Sequence, residues 1–336
     1  MNKELRKSIF SPNMGSEAGQ DFAHSMRESS AIAIPLYLDS LDKAAPDKRF
    51  TPMRGGWMYS FLALNSNGKT SWAIWHAIQR ANWLVANKLE NRAILFVSAE
   101  VMVETLHAQM VACSTGVPYA SVLSGDLEPE QIKTFDDFSI QKMPGLPIWL
   151  AGHSATRHIK NLRISDAYID GAASEIESWG PHQKFEMDII YVDYLQKLSL
   201  ENRKDLSRNA GKAEMVSQLC HNIKDVALDH NCVTWLNTQA GRDVEKDKNE
   251  PDKMPGSADS QWSSDLEHDT DILCAAWKTS RYHNIGASIN VMGKTITVND
   301  KQWLFKVHKH RFGPASMKVE VYYDAAIAKF GSMAHP

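Results

Sequence analysis

The residues best placed to do chemistry lie in ALNSNGKTS, Ala63 to Ser71, where glycine, lysine and threonine follow an apolar run and open a helical pattern. Strand, tight loop and helix in that order make a phosphate cradle. Backbone N–H groups of Asn65, Ser66, Asn67 and Gly68 turn toward anionic oxygens there, and the positive end of the helix dipole adds to the attraction. Lys69 supplies a point charge for the β- and γ-phosphates of a nucleotide, the Thr70 hydroxyl can ligate Mg²⁺, and Ser71 continues the loop into the helix. The loop departs from the usual pattern only at its first position, where Ala63 stands in place of glycine.

Three more positions suit the same chemistry. Asp193 ends the apolar run MDIIYVD; ligands of open parallel sheets bind at the carboxyl ends of strands, and a carboxylate there supports the water shell of Mg²⁺. Glu100, in LFVSAEVM, lies just past another apolar run and is placed to act as general base on an attacking water. Gln239, in WLNTQAGR, ends a further run with a neutral amide suited to sensing a γ-phosphate. His308 and His310 flank Lys309 in strand-like alternation and read as bystanders, not as a metal site.

These side chains need a sheet to hold them. Short apolar runs at 57–63, 93–98, 148–151, 187–193, 232–237 and 272–277 read as strands. Helical patterns at 71–89, 101–116 and 213–230 fall between them, the last with Met215, Leu219, Ile223 and Val226 on one face. Alternation of this kind predicts an α/β fold with a mostly parallel central sheet and helices on both faces. After residue 287 the pattern turns β-rich, with turns at Met292-Gly293, Asn299-Asp300 and Gly313-Pro314, which predicts antiparallel hairpins added to the sheet edge. Residues 1–50 read as an N-terminal extension with a short helix over 16–29, and 51–336 as the main domain.

Composition narrows the class. Hydrophobic residues make up 43% and charged residues 23%, with a net charge of -3, so strong nucleic-acid attraction must come from local charge. No run is long enough to span a membrane, and the start lacks a signal-peptide core. Cys113, Cys220, Cys232 and Cys274 form no CxxC pair, which points to a reducing cytoplasm.

Taken together, these motifs resemble the RecA-like C-terminal ATPase domain of DnaB-type replicative hexameric helicases. ALNSNGKTS is similar to that family's phosphate loop, alanine included. VSAEVMVETLHAQM resembles the stretch around its catalytic glutamate, VDYLQKL its Asp-Tyr-Leu-Gln signature and NTQAGR its Ser-Gln-x-Asn-Arg motif. SSDLEHDTDIL resembles the segment after its DNA-binding loop, and KVHKHRFGPASMKVEVYYD its C-terminal strand and hairpin. The resemblance implies a RecA-like P-loop NTPase that uses ATP and Mg²⁺. In that reading Lys69 and Thr70 bind phosphate and metal, Asp193 supports the metal, Glu100 is the base, Gln239 the sensor, and Lys309 and Arg311 are basic fingers reaching a neighbour's γ-phosphate. Sites shared in this way require a homo-oligomer, a hexamer by analogy, or a helical filament. The family's N-terminal collar domain is expected to be missing, because about 50 residues precede the core.

The resemblance also implies a single-stranded DNA partner, contacted by Arg242, Gln261, Trp262 and Ser264. Trp262 can stack on a base, and backbone N–H groups can take phosphate. From Arg242 to Asp269, however, nine acidic residues face four basic ones, Arg242, Lys246, Lys248 and Lys253, which opposes counterion-driven binding. The leading expectation is an ATP-driven translocase or helicase on single-stranded DNA, with a replication or mobile-element protein as a further partner. The alternative is a RecA-family regulatory or assembly ATPase that docks a protein without unwinding. A third reading is a small-molecule kinase in which Lys309 and Arg311 act on their own chain's phosphate loop.

Overall fold

The computed structural model describes residues 20, 33–43, 50–89, 91–157, 159–179, 185–200, 211–241, 243–246, 252–260, 266–291 and 293–333. Two compact units divide the chain, Met1–Ile34 and Pro35–Pro336, and the elements below belong to the second. The helix expected over 16–29 lies outside the described residues, apart from Gln20.

The strands are β1 (Met58–Ala63), β2 (Arg92–Ser98), β3 (Ile148–Gly152), β4 (Glu186–Asp193), β5 (Val233–Gln239), β6 (Ile272–Lys278), β7 (Ser288–Val291), β8 (Lys294–Thr297), β9 (Gln302–His310), β10 (Lys318–Asp324) and β11 (Lys329–Ser332). The helices of six or more residues among the described residues are α1 (Lys69–Ala86), α2 (Val103–Thr115), α3 (Tyr119–Ser124), α4 (Pro129–Asp137), α5 (Asp166–Ser178) and α6 (Lys212–Asp229). A nine-stranded sheet runs β11-β10-β9-β6-β1-β5-β4-β2-β3. β1 to β6 pair in parallel, and β9, β10 and β11 extend the β6 edge antiparallel. The expected α/β architecture is therefore present, with its antiparallel addition.

β1 and β5 are buried along their whole length because helices cover both sheet faces. Alternation sends Met58 and Leu62 to the face packed by Ile169, Ala173 and Ile176 of α5 and Val216, Leu219 and Ile223 of α6. Tyr59 and Phe61 point the other way, into an aromatic layer with Trp72 of α1 and Trp235, Trp303 and Phe305. Trp72 also meets Trp303 at 5.5 Å and Phe330 at 5.1 Å between ring centroids. Such pairs add about 0.5–1.5 kcal/mol each beyond their area burial. The antiparallel extension thus holds α1, and so the phosphate loop, against the sheet.

One expectation needed correction. The β7–β8 hairpin does not join the sheet edge; it stands as a two-stranded sheet of its own. Its inward residues Ile289, Val291 and Ile296 bury against Val298, Leu304 and Trp277, a local core that leaves nothing for an edge to cover. The helices α3, α4 and α5 also went unread. α4 carries Pro129 in its first turn and a reciprocal Glu128–Gln131 capping box, a readable start signal.

Candidate active site

The carboxyl ends of the central strands finish level. Ala63 of β1 stands beside Gln239 of β5, and Ser98 of β2 beside Asp193 of β4. The sequence candidates on these ends are thereby gathered around the start of α1.

Between Ala63 and Lys69 the chain turns through left-handed backbone at Ser66 (φ 55°) and Gly68 (φ 87°). Glycine is required at position 68 for two reasons: its φ, and the Tyr323 ring, which a Cβ would approach at 3.0 Å. The side chain of Asn67 does not face outward. It is buried, and its amide donates to Asn65 O (2.9 Å) and Tyr282 Oη (3.0 Å), while its Oδ1 accepts from the Lys278 amide (2.9 Å). Trp303 Nε1 donates to Asn67 O (2.9 Å). Asn67 is therefore a brace that ties the loop to β6 and β9, and Asn65 and Ser66 form its exposed tip.

The backbone amides of Gly68, Lys69, Thr70 and Ser71 have no hydrogen-bond partner among the described residues. They open the helix, where no carbonyl precedes them to accept. The Lys69 ammonium lies beneath, donating to Ala63 O and Leu64 O, both at 3.0 Å. Burial brings its pKa down to about 8 against the opposing pull of Asp193 and Glu100. Thr70 Oγ1 donates to Asp193 Oδ2 (2.8 Å), and Asn237 Nδ2 donates to Asp193 Oδ1 (2.8 Å). Burial raises the Asp193 pKa, and the hydrogen bonds from Asn237 and Thr70 pull against it. The Ser71 hydroxyl is engaged by Tyr323 Oη (3.1 Å).

Free amides, a buried ammonium and a hydroxyl–carboxylate pair fit a magnesium–triphosphate. The amides and the lysine suit anionic oxygens, and Thr70 and Asp193 present the hard oxygen ligands that Mg²⁺ takes. Glu100 is exposed just past β2, where the Ser98 hydroxyl accepts from the amides of Glu100 (3.4 Å) and Val101 (2.8 Å). Gln239 is gripped by its backbone: Gln196 Oε1 accepts from its amide (3.1 Å) and Gln196 Nε2 donates to its carbonyl (3.4 Å).

Lys309 and Arg311 lie elsewhere. In β9, Lys309 is level with Leu273, and Leu273 with Ser60; the Arg311 amide donates to Asp271 O, and Met58 N donates to Asp271 Oδ2. Arg311 sits by the amino end of β1, five residue steps or about 16 Å from the carboxyl end where the phosphate loop leaves, and Lys309 is level with Ser60, three steps or about 10 Å from that end, with β6 between. Lys309 Nζ donates to Glu267 O, and Arg311 pairs with Asp271 at 2.8 Å. Both are engaged away from their own chain's phosphate loop, which weighs against the cis-acting kinase reading. His310 Nε2 meets Thr51 O at 3.1 Å, and burial lowers the pKa of both histidines, that of His308 to about 4.

Arg242, Gln261, Trp262 and Ser264 lie outside the described residues. What precedes them is defined: Ala240 bridges Ser260, and Gly241 N donates to Asp259 O (2.7 Å). The segment between leaves and returns beside Gln239.

Sequence reading missed Asn237, Gln196 and the Asn67–Trp303 brace. Gln196 lay within the recognised VDYLQ stretch. Asn237 gave one signal, a polar amide inside an otherwise apolar run.

A profile of the DnaB-like helicase C terminal domain matches residues 47–332. A search of curated proteins finds no match. Among solved structures, one of a DnaB-like replicative helicase, described with its interactions with primase, superposes with a TM-score of 0.71 at 18% identity, covering 97% of this chain and 68% of the other. A second, of an ATPase domain, gives a TM-score of 0.71 at 19% identity, covering 94% of this chain and 98% of the other.

Proposed function

The chain belongs to the family of DnaB-like helicase C-terminal domains, and from that premise we propose that it is an ATP-driven translocase on single-stranded DNA, working in the cytoplasm as a ring or helical oligomer with ATP hydrolysed between subunits. The observation that carries the proposal is the Thr70–Asp193 hydrogen bond at a helix start with a buried Lys69 and four amides that have no hydrogen-bond partner among the described residues.

Each residue has a task in that reading. The amides of Gly68 to Ser71 and Lys69 bind the phosphates, and Lys69 exchanges two carbonyl acceptors for anionic oxygens. Thr70 and Asp193 hold Mg²⁺, which when bound neutralises charge on the phosphates. Glu100 takes a proton from the attacking water, and its exposure leaves room for that water. Gln239 reports the phosphate's presence to the segment anchored at Ala240 and Ser260, which leads into the proposed DNA contacts Arg242, Gln261, Trp262 and Ser264. Lys309 and Arg311, remote from their own loop, complete a neighbour's site. A cation supplied in trans stabilises the charge that spreads over the transferring phosphoryl group.

Two measurements test this together: ATP turnover with and without single-stranded DNA, and solution mass with a non-hydrolysable ATP analogue. A ring-sized particle whose turnover rises with DNA is expected, and Glu100→Gln should bind ATP without turning it over. One observation favours a second reading, the excess of acidic residues between Arg242 and Asp269. Assembly and turnover indifferent to DNA would replace the translocase with a regulatory ATPase that docks a protein partner.

A further inference from the structure

Asp193 is oriented from two sides, and only one side belongs to the phosphate loop. Thr70 holds Oδ2 and Asn237 holds Oδ1, each at 2.8 Å. Behind Asn237, Trp235 Nε1 donates to Asn237 Oδ1 at 3.1 Å. An indole N–H can only donate, so it fixes which end of the amide is which: the carbonyl must face Trp235 and the NH₂ must face Asp193. The chain Trp235 to Asn237 to Asp193 therefore has a single hydrogen-bond polarity. Trp235 and Asn237 are two residues apart on β5 and share the face turned toward α1, and the register of Val192 with Leu236 sets Asn237 across from Asp193.

The source of the chain is immobile. Trp235 is fully buried, with ring centroids of Tyr59 at 4.0 Å, His76 at 4.5 Å and Tyr191 at 5.5 Å. Asn237 is fully buried too, in a strand whose every residue is buried. An amide there costs free energy unless its groups are bonded, and its bonds lead to the indole on one side and to Asp193 on the other.

We propose that Asn237 is a positioning residue for nucleotide turnover, its amide holding the Asp193 carboxylate in the orientation that faces Thr70. The proposal rests on the nucleotide reading given above and concerns the metal half of that site. Asn237 touches neither phosphate nor Mg²⁺; it acts through Asp193.

The test is the Mg²⁺ dependence of ADP binding and ATP turnover in the full chain. Asn237→Leu keeps the branched four-atom shape, with slightly more bulk, and removes the donor. Partners that orient a metal-supporting carboxylate are worth about 10–100-fold in metal affinity, so the Mg²⁺ concentration at half-maximal turnover should rise about tenfold. Affinity for a fluorescent ADP measured in EDTA should stay within about twofold, because the amides and Lys69 are untouched. A merely structural role would weaken both bindings together. Should Asn237→Leu fail to fold, Trp235→Phe keeps a smaller aromatic ring and deletes the N–H that polarises the amide; it should shift the Mg²⁺ requirement in the same direction by about threefold. Parental Mg²⁺ dependence in either folded variant, or equal loss of binding with and without Mg²⁺, overturns the role of Asn237. An unaltered chain that shows no Mg²⁺-dependent ADP binding overturns the nucleotide reading itself.

Discussion

Arg80 and Asp188 form a buried ion pair at the foot of the active site, and breaking it should cost both stability and turnover. Arg80 Nε meets Asp188 Oδ2 at 2.6 Å and Nη2 meets Oδ1 at 2.8 Å, with side-chain exposures of 0% and 1%. Burial works against the charged guanidinium, and the hydrogen bond and charge of Asp188 outweigh it, raising the Arg80 pKa. The pair joins α1 to β4, the two elements that carry Thr70 and Asp193 at their other ends. Ten helical residues from Thr70 to Arg80 span about 15 Å, and five strand residues from Asp188 to Asp193 about 16 Å, so the two linkages close a frame of nearly equal sides. Removing one partner of a buried pair costs about 3–5 kcal/mol, because the other charge is stranded. Arg80→Met should fall near about 3 kcal/mol, since Arg92 still reaches Asp188 at 3.4 Å. Asp188→Asn should fall nearer about 5 kcal/mol. The double variant Arg80→Met/Asp188→Leu removes both fully buried charges and leaves Arg92 to Glu186 at 3.0 Å, so it should recover most of the loss, a coupling of at least about 2 kcal/mol. Urea unfolding followed by tryptophan fluorescence measures the cycle, and turnover of folded Arg80→Met should fall more than its nucleotide affinity. Single variants that each cost under about 1 kcal/mol, or losses that simply add in the double variant, would refute the frame.

Three further outcomes are expected. Lys69→Ala should weaken ATP binding and abolish turnover, while Arg311→Ala should bind ATP and lose turnover. Mixing the two should restore part of the rate, because each supplies the half-site the other lacks; confirmed mixed assemblies with no activity would refute the shared site. His230 lies between Asp170 (3.0 Å) and Glu177 (3.1 Å), and although burial opposes its charge, the two carboxylates raise its pKa above 6.5. A raised histidine stabilises fully below its unfolded value of about 6.5 and loses that contribution as pH rises through the folded value. His230→Gln should therefore flatten the stability profile on the alkaline side of about pH 6.5, by roughly 1 kcal/mol or less, since Asp170 is half exposed; thermal melts at several pH values measure it.

The parts of the site legible in the sequence are those whose chemistry is contiguous. Residues 63–71 carry strand, turn and helix start in one stretch, and Asp193 and Gln239 each end an apolar run, so their place at strand ends followed from pattern alone. Asn237 was illegible because its meaning depends on which strand lies beside β5 and on an indole two residues back, and neither is periodic. α5 escaped for a local reason: Gly171 interrupts it, and only Ile169, Ala173 and Ile176 make an apolar face. Its start was marked by Ser165, whose hydroxyl accepts from Tyr168 N at 3.1 Å. The β7–β8 hairpin was seen as strands but misplaced, since alternation gives the direction of side chains and not the surface that receives them.

Lys309 and Arg311 lie two strands over from β1 and back along it from the carboxyl end where the phosphate loop begins. Under the proposed shared site, each chain carries a donor half for a neighbour and an acceptor half of its own, so concentration becomes part of its kinetics. Turnover per chain should climb as the protein is concentrated and level off once every loop has a neighbour. On dilution it should fall off before nucleotide binding does, because in that arrangement binding draws on one chain and hydrolysis on two.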